Sequence, residues 1–398
     1  MTEPTPAPGT PTPRSQRRWL FVAICLVGIP LGLSGLDHLV GWIAGPPTRH
    51  LLFPSGSRVR HESAEFDVEV IISEQGLRDR DYPRGPAAGG IRLVAIGDSF
   101  TFGWGVTADE AWPKVVERHG GGNNEKIEVL NFGFPGASPN DYSWMITRAL
   151  DHFQPDIVLI GTLQGDDLIQ LVEQEAEEVG GNRRLGEMVF PTLFDWLKPA
   201  PPTMESYRSV FLKSQAYLRS TLTLQQQQRY QGLSGEVREA FESGLLNPSL
   251  VHTAMTHPGR FLQPVSGGSR WQGDAETRLR RCVGQWAESC RRAGAELKVV
   301  IVPDGPYVSR AAGRGMREVG YEVPGSLIQT TVCQQVVIEI CGESGVGVIN
   351  PVAEFRKAAN SQDPDNTGDY FELDGHFTAR GQQRLGKAVA RSIWPPAE

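Results

Sequence analysis

Short apolar runs alternate with amphipathic helical patterns through most of the chain. The clearest run is Ile91 to Ile96, which is mostly aliphatic without polar alternation and therefore indicates a strand buried on both faces of a parallel sheet. Strands are predicted at 91–96, 127–132, 156–163, 297–302 and 346–350. Helices are predicted at 108–118, 141–152, 273–293, 325–342 and 379–392. This alternation predicts an α/β fold with a doubly wound, five-stranded parallel sheet and right-handed crossovers.

One interval interrupts this alternation. Between residues 166 and 268 the strand character is lost and polar helical segments appear, including a run of glutamines at 225–228. We therefore predict a helical insertion or cap at 166–268, beside the carboxyl edge of the sheet, and an α/β domain made of 91–165 and 269–398. A linker or disordered arm is the alternative. The aromatic residues of the interval argue against it: Phe190, Phe194, Trp196, Tyr207, Phe211 and Tyr217.

The amino-terminal region has the pattern of a membrane anchor. Residues 1–16 are rich in Pro and Thr, which predicts a disordered tail. Arginines at 14–18 then precede Trp19 to Leu36, eighteen residues without a charge, a length that is about enough to cross a bilayer core. We predict an uncleaved transmembrane signal-anchor within 17–45, with a cytoplasmic amino terminus and the remainder periplasmic or extracellular. A cleaved signal peptide or a buried soluble helix are the alternatives.

Residues 46–90 form a lead-in segment between the predicted anchor and the α/β domain. Its stretch Glu65 to Ile71 alternates polar and apolar residues, which predicts an edge strand. A turn-rich run follows this stretch. We expect the segment to pack on the α/β domain.

Composition narrows the possible partners. The chain has 398 residues, of which 39% are hydrophobic and 21% charged, as in ordinary globular proteins with a sizeable core. Its net charge of -7 argues against a nucleic-acid surface. No metal-ligand spacing of Cys and His is present in the sequence, so neither a metal nor a cofactor is expected.

Five cysteines raise the question of disulfides. Cys25 lies in the predicted span, Cys282 and Cys290 lie on one predicted helix, and Cys333 and Cys341 lie on another. Eight residues of helix span about 12 Å, which is too far for a bridge within one helix. If the two helices are parallel neighbours in an exported domain, we expect the pairs Cys282–Cys333 and Cys290–Cys341. Free buried thiols are an equal alternative.

A serine follows the first strand of the predicted sheet. Open α/β sheets bind ligands at the carboxyl ends of their strands, and Ser99 lies in the glycine-bearing turn that begins at Gly97. Ser99 is therefore a candidate nucleophile. The alternative is a turn in which Asp98 and Ser99 only cap backbone amides.

A nucleophilic serine needs a base, and one of the eight histidines has a suitable context. His376 follows the last predicted strand and precedes the last predicted helix, where a loop can return to the carboxyl edge of the sheet. Asp374 can orient His376 and stabilise its protonated form. A histidine that only caps the helix is the alternative.

Acyl chemistry also needs donors for a developing oxyanion. The segment Asn131 to Gly136 follows the second strand, and a glycine there lets a backbone N–H approach a substrate closely. We predict that the amides of Gly136 and Ser99 are these donors. A plain Gly/Pro turn is the alternative.

Four segments resemble, in chain order, the four sequence blocks of the SGNH hydrolase superfamily, also called GDSL-type lipases and esterases. They are GDSF around Ser99, NFGFPG ending at Gly136, LQGDD at 163–167 and DGHF at 374–377. The resemblance covers about 91–394 without the insertion. It implies a flavodoxin-like sheet that carries a serine esterase.

The resemblance also implies a role for each matching residue. Ser99 would be the nucleophile, His376 the base and Asp374 its partner. The amides of Ser99 and Gly136 would form the oxyanion hole, to which the third block normally adds an asparagine side chain.

Two positions depart from the family pattern. Asp166 replaces the usual Asn of the third block, and an ionised carboxylate cannot donate a hydrogen bond, so Gln164 is a reserve donor. Only one residue separates Asp374 from His376, where the family commonly has two. Glu372 is therefore a reserve partner for the histidine.

The chain further resembles membrane-tethered bacterial members of the superfamily that act on acetyl groups of cell-envelope polysaccharides. The implied activity is hydrolysis of an ester, an O-acyl or O-acetyl group on a carbohydrate, through a Ser-His-Asp acyl-enzyme. The expected partners are a small-molecule or polysaccharide ester and, through one helix, the membrane. O-acyl transfer, hydrolysis of a lipid ester, and glycan binding without catalysis are the alternatives, and Asp166 motivates the last of them.

Overall fold

A computed structural model describes residues 29–44, 51–86, 89–121, 126–173, 206–266, 268–360 and 368–395. Within these ranges, the strands are β1 Arg58–Glu62, β2 Asp67–Ile71, β3 Gly90–Gly97, β4 Lys126–Gly133, β5 Ile157–Leu163, β6 Glu296–Val302 and β7 Gly347–Ile349. The first eight helices are α1 Ile29–Ala44, α2 Ser99–Phe102, α3 Trp112–His119, α4 Pro139–Phe153, α5 Asp166–Glu173, α6 Tyr207–Ser220, α7 Leu224–Gln231 and α8 Gly235–Glu242. The others are α9 Pro248–Thr256, α10 Gln263–Ser266, α11 Gly268–Ala293, α12 Gly305–Val308, α13 Arg310–Val319, α14 Val332–Glu343, α15 Val352–Ala359 and α16 Ala379–Ile393.

Five parallel strands form the central sheet in the order β4-β3-β5-β6-β7. The prediction of a doubly wound, five-stranded parallel sheet is confirmed, and each predicted strand agrees with the observed one to within one residue at each end. The chain first adds β4 on one side of β3 and then β5 on the other. The carboxyl ends of β3 and β5 therefore meet at the switch point of the sheet, where α/β proteins bind ligands.

Helices pack on this sheet in two groups. Helix α3, which connects β3 to β4, packs against α16, whereas α4, which connects β4 to β5, packs against α11. Since these two crossovers run in opposite directions along the sheet, right-handed connections put them on opposite faces. The residues Leu93 to Ile96 of β3 are consequently fully buried.

The observed helices differ from the predicted ones mainly at their amino ends. The predicted helix 108–118 is divided, because a 3-10 turn at Ala108–Glu110 precedes α3, which starts anew with Pro113 in its first turn. In the same way a 3-10 turn at Leu327–Gln329 precedes α14, which was expected to begin at residue 325. Proline is well suited to a first helical turn, where an N–H has no intrahelical partner.

The lead-in segment contains a hairpin that the sequence predicted only in part. The predicted strand at 65–71 is present as β2, but it pairs antiparallel with β1 in a sheet of two strands and does not extend the central sheet. Strand β1 was missed because its residues, RVRHE, are mostly charged. Val59 of β1 pairs with Val70 of β2, and both side chains are buried.

The predicted disulfides are wrong. All four cysteines of the α/β domain are free and buried, in agreement with the alternative. Helix α11 contacts α14 as expected, but the Sγ atom of Cys282 lies 3.9 Å from Oδ1 of Asn140 on α4, so Cys282 does not face Cys333. Burial raises the pKa of the Cys282 thiol to about 11 and those of Cys290 and Cys341 to about 12, which keeps the thiols protonated and unreactive.

The amino-terminal and insertion predictions fall partly outside the described residues. Helix α1, which belongs to a unit separate from the α/β domain, has 16 residues, and none of the described helices has the length and apolar character of a membrane span. The predicted tail and the first part of the predicted anchor, up to residue 28, lie outside the described residues, as do residues 174–205 of the insertion. Within the insertion, α6 to α10 are helical, and its boundaries stay a prediction.

Candidate active site

Ser99 lies at the carboxyl end of β3, where the sheet turns into a very short helix. It is the first residue of α2, and the carboxylate of Asp98 caps this helix by accepting a hydrogen bond from the Phe100 amide at 2.9 Å. Gly103 ends the helix with φ at +86°, a left-handed conformation that favours glycine. The turn therefore holds the Ser99 hydroxyl at the edge of the sheet, and Asp98 has the structural role of a cap.

Ser99, His376 and Asp374 form a chain of hydrogen bonds. The Ser99 Oγ atom lies 2.7 Å from Nε2 of His376, and Nδ1 of His376 lies 2.6 Å from Oδ1 of Asp374. Gly375, at φ +81°, takes a left-handed conformation between the two. This tight turn lets Asp374 reach the imidazole although only one residue separates them, so Glu372 is not needed as the reserve partner.

Trp104 fixes the far side of the Asp374 carboxylate. Its indole N–H donates to Oδ2 of Asp374 at 3.2 Å, and its ring stacks on the His376 imidazole with centroids 5.5 Å apart. Both oxygens of Asp374 are thus engaged, one by the imidazole and one by the indole. The tryptophan was not among the predicted site residues, although it lies only five positions after Ser99 in the chain.

The carboxylate and the imidazole change each other's acidity. Burial would lower the pKa of His376, but the negative charge of Asp374 and its hydrogen bond outweigh burial and raise this pKa above the ordinary value. Burial would likewise raise the pKa of Asp374, but the charge of the His376 imidazole and its hydrogen bond hold this pKa below its ordinary value. The pair therefore favours a charged imidazole, which is the state that follows proton transfer from a serine.

Two backbone amides point to a binding site for a developing oxyanion. Ser99 is at the first position of α2, where N–H groups have no intrahelical partner. Gly136 has φ at +83°, and a Cβ atom at this position would meet nothing within 4 Å. Neither amide donates to an acceptor among the described residues. Both residues line the same cavity as the Ser99 hydroxyl.

Asp166 forms an ion pair with Arg260, a residue that was not among the predicted site residues. Nε and Nη2 of Arg260 lie 3.0 and 2.7 Å from Oδ1 of Asp166, and Nη1 lies 2.5 Å from Glu173. The Asp166 carboxylate is thus an acceptor. Arg260 comes from the insertion, lines the cavity and has two guanidinium N–H groups left, since three of its five donors are used.

Gln164 does not lie in the cavity, which corrects its selection as a reserve donor. Its side chain is fully buried, and its amide group donates to Oε1 of Gln334 at 2.8 Å. The residue directly follows β5, and its amide nitrogen still donates to the Val302 carbonyl of β6 at 2.9 Å. Its amide therefore stabilises the packing against α14.

Asp304 is a second acidic group that the sequence analysis missed. It follows β6, is only 6% exposed and lines the cavity. Burial, followed by the charges of Asp166 and Asp98, raises the pKa of Asp304 to about 8. Burial also raises the pKa of Asp98, to about 6. Asp304 is thus mostly protonated at neutral pH and can donate a hydrogen bond.

Ser99, His376, Asp374, Arg260 and Asp304 all line one cavity of about 510 Å³. Its wall also contains hydrogen-bonding and aromatic side chains, namely Gln170, Asn247, Ser249, Thr253, Phe100, Phe261 and Tyr321. Several of these residues belong to the insertion, which therefore forms part of the wall. Across the described ranges, no group of three or more His, Cys, Asp or Glu side chains is arranged to hold a metal ion.

Comparisons with known proteins find similarity only to distantly related solved structures. No family model matches the chain, and no curated protein matches it. A crystal structure of TesA is 11% identical and covers 76% of this chain and 98% of its own, with a TM-score of 0.36. A lipolytic protein of the G-D-S-L family from Desulfitobacterium hafniense is 14% identical, covering 76% and 99%, with a TM-score of 0.33. A catalytic mutant of Axe2, an acetylxylan esterase from Geobacillus stearothermophilus, is 14% identical, covering 77% and 96%, with a TM-score of 0.35.

At this level of similarity, the chemistry of the chain has to be derived from its own site. The geometry supplies a hydroxyl, an imidazole and a carboxylate in series. It also supplies two amides without acceptors beside the hydroxyl. This arrangement can deprotonate a serine and stabilise an oxyanion.

The acidity of His376 gives a first testable prediction. The His376 imidazole should titrate above the ordinary histidine pKa of about 6.5, and Asp374→Asn should lower this pKa, because the substitution removes the main group that raises it. NMR titration of the imidazole resonances would measure both values. His252, whose pKa is lowered by burial, is the internal control. A His376 that titrates below His252 would contradict the assigned geometry.

The buried carboxyl of Asp304 gives a second prediction. Because its pKa is about 8 in the folded chain, the native state retains a proton that the unfolded state loses, and stability falls as the pH rises from about 4 to about 8. Asp304→Asn removes this loss, so the Tm of the variant minus that of the wild type should increase over this range. Asp274→Asn, an exposed substitution on α11, is the control and should show a constant difference. Equal pH dependence of the two variants would contradict the prediction.

Proposed function

We propose that this chain is a serine hydrolase of the SGNH type that cleaves a carboxylic ester. The observation that carries the proposal is the 2.7 Å contact between the Ser99 hydroxyl and the His376 imidazole, which is itself bonded to Asp374. The contact lies at the switch point of a parallel sheet. Its neighbours are the two amides that lack acceptors.

The proposed mechanism has two halves, formation and hydrolysis of an acyl-enzyme, and His376 transfers a proton in both. Ser99 Oγ attacks the acyl carbon while Nε2 of His376 takes the hydroxyl proton, and Asp374 stabilises the resulting imidazolium. The carbonyl oxygen becomes an oxyanion that accepts hydrogen bonds from the Ser99 and Gly136 amides. His376 then returns the proton to the leaving alkoxide, the ester bond breaks, and an acyl-Ser99 remains. Water, deprotonated by His376, releases the acid and restores Ser99.

Arg260 supports catalytic competence despite the missing asparagine. An asparagine in the third block would offer an amide donor to the cavity, and the Asp166 carboxylate cannot. Asp166 instead holds Arg260, whose remaining N–H groups are charged donors in the same cavity. We propose that Arg260 contacts the polar part of the substrate, so the departure at Asp166 changes the kind of donor without removing it.

The proposed substrate class is an O-acyl or O-acetyl ester of a carbohydrate. The cavity supports it through polar side chains that can bond sugar hydroxyls, such as Asn247, Ser249 and Thr253, beside aromatic rings that can pack on a sugar face. A volume of about 510 Å³ suits a short acyl group with one or two sugar units. A buried, protonated Asp304 adds a neutral donor to the wall.

The proposed location is the outer face of a membrane, with the amino terminus in the cytoplasm. This proposal is supported by the uncharged stretch Trp19 to Leu36 and by the arginines that precede it. An exported enzyme tethered by one helix would act on an envelope carbohydrate. Oxidation of the free thiols would be prevented by their burial.

Two other activities use the same acyl-enzyme. An O-acyltransferase would pass the acyl group to a sugar hydroxyl instead of water, and a lipid-ester hydrolase would prefer long acyl chains. A glycan-binding protein without catalysis is the alternative from another class. It predicts no acyl-enzyme at all.

Labelling of the nucleophile tests the proposed function. A fluorophosphonate probe should modify Ser99, and Ser99→Ala should abolish both the label and the turnover of aryl acetates, because the reaction needs the hydroxyl activated by His376. Intact mass and peptide mass spectrometry would locate the label. Ser143→Ala, which removes a hydroxyl on the surface of α4, is the matched control and should retain the label.

The outcomes separate the alternatives. Preference for acetyl over octanoyl esters supports the carbohydrate ester, and the reverse preference supports a lipid ester. Formation of an acylated sugar when an oligosaccharide is added supports transfer. A folded wild-type protein that neither takes the label nor cleaves aryl acetates overturns the proposed enzyme in favour of glycan binding.

Substitution of the cavity arginine gives a further prediction. Arg260→Gln should lower kcat/KM for aryl acetates by about tenfold or more, because a charged donor is lost from the cavity and Asp166 loses its ion-pair partner. The double variant Arg260→Gln with Asp166→Asn should recover part of this loss. Arg280→Gln, which breaks an exposed pair with Glu343, is the control. A kcat/KM for Arg260→Gln equal to that of the control would exclude Arg260 from substrate contact.

A further inference from the structure

The turn between β1 and β2 reaches the loop that carries Asp374 and His376. Its Glu65 carboxylate accepts hydrogen bonds from three consecutive backbone amides: Oε1 lies 2.5 Å from the Glu372 nitrogen, and Oε2 lies 3.1 and 2.7 Å from those of Leu373 and Asp374. Successive N–H groups of this kind form a small anion-binding nest, and here a side chain of the protein occupies it. The loop is therefore held from the lead-in segment.

The turn that presents Glu65 is itself well ordered by hydrogen bonds. Ser63 Oγ accepts from the amides of Glu65 and Phe66 at 3.0 and 3.2 Å, and the Ala64 amide donates to the Leu245 carbonyl at 2.9 Å. Burial raises the pKa of Glu65, and its bonds to the loop amides oppose that rise. Hydrogen bonds between a carboxylate and N–H groups are among the stronger ones in proteins.

A second residue of the same segment holds the other half of the site. The Arg78 guanidinium is buried and donates to the carbonyls of Phe102, Gly103 and Val106, which follow Ser99 in the nucleophile turn. Glu65 therefore binds amide groups of one catalytic loop, and Arg78 binds carbonyl groups of the other. Each side chain has the charge that suits the backbone groups it meets.

Apolar contacts join the same three pieces of chain. The ring of Phe66, in the turn of the hairpin, packs on the ring of Phe371, in the loop that carries Asp374 and His376. The two ring centroids are 4.9 Å apart. Gly105 of the nucleophile turn lies against both, since a Cβ atom there would come within 2.6 Å of Phe371 and 2.9 Å of Phe66. His61 of β1 packs on Trp104, the donor to Asp374, with centroids 4.2 Å apart. The hairpin thus contacts both loops over a continuous surface.

We propose that Glu65 and Arg78 are positioning residues, and that residues 58–82 brace the two catalytic loops against each other so that Ser99 meets His376. Neither residue contacts the reacting atoms. The expected effect on kcat rests on the proposed function. The stabilisation of the loop by Glu65 can be measured without any substrate.

The substitution Glu65→Gln tests the brace with little change in shape. A glutamine turns one acceptor oxygen into an NH₂ group, which would face backbone N–H groups and release at least part of the loop. We expect kcat for aryl acetates to fall by about tenfold to a hundredfold, because Asp374 and His376 lose their alignment with Ser99. KM should change by less than about threefold, since the wall of the cavity is retained. Glu69→Gln, which breaks the exposed pair with Arg58 on the same hairpin, is the matched control.

Hydrogen exchange, measured by mass spectrometry on the full chain, provides the readout that needs no activity. Glu65→Gln should speed amide exchange in the peptide containing residues 371–376, and Glu69→Gln should leave it at the wild-type rate. A wild-type protein without esterase activity would overturn the proposed function, while faster exchange in Glu65→Gln would still support the brace. Unchanged exchange, or a lower Tm with unchanged kcat, would overturn the brace.

Discussion

A single hydrogen bond of 2.7 Å joins two residues that lie 277 positions apart in the chain, and the site depends on it. The fold makes this contact possible because parallel strands deliver their carboxyl ends to one edge of the sheet. Ser99 leaves the central strand β3, and His376 returns from beyond the last strand to the same edge. The buried core beneath this edge stabilises both the turn that carries Ser99 and the loop that carries His376. Without that sheet the serine would be an ordinary helix-capping hydroxyl.

The charges around this contact determine how the imidazole behaves. Burial opposes a charged imidazole, but the carboxylate of Asp374, followed by the smaller effect of Asp98, raises the pKa of His376. A strong base is useful for removing a proton from serine, but a high pKa also protonates the base near neutral pH. The elevated pKa of Asp304, about 8, limits this conflict by keeping one of the carboxyl groups neutral.

Local sequence patterns were sufficient to predict the strands of the central sheet. They failed to predict site residues whose position depends on contacts with distant parts of the chain. The five buried strands are continuous apolar runs, and Ser99, Asp374 and His376 follow strands or precede helices in recognisable turns. Arg260 and Glu65 have no such local signal, because their partners lie far away in the chain. The predicted cysteine pairs were wrong because helical spacing gives the rise between two thiols on one helix but not the direction in which each thiol points. The choice of Gln164 as a reserve donor was wrong for the same reason, since its place after β5 does not show which way its side chain points.

The order of the chain gives the hairpin a practical consequence. The α/β domain predicted from the sequence begins at residue 91, so a recombinant fragment designed from that boundary alone would start after β2. Such a fragment would retain Ser99, His376 and Asp374. It would lack Glu65 and Arg78, and with them the hydrogen bonds that these side chains make to the backbone of the two loops. It would also expose the apolar surface of Trp104 that His61 covers. Expression boundaries for this protein therefore belong upstream of β1, which begins at Arg58.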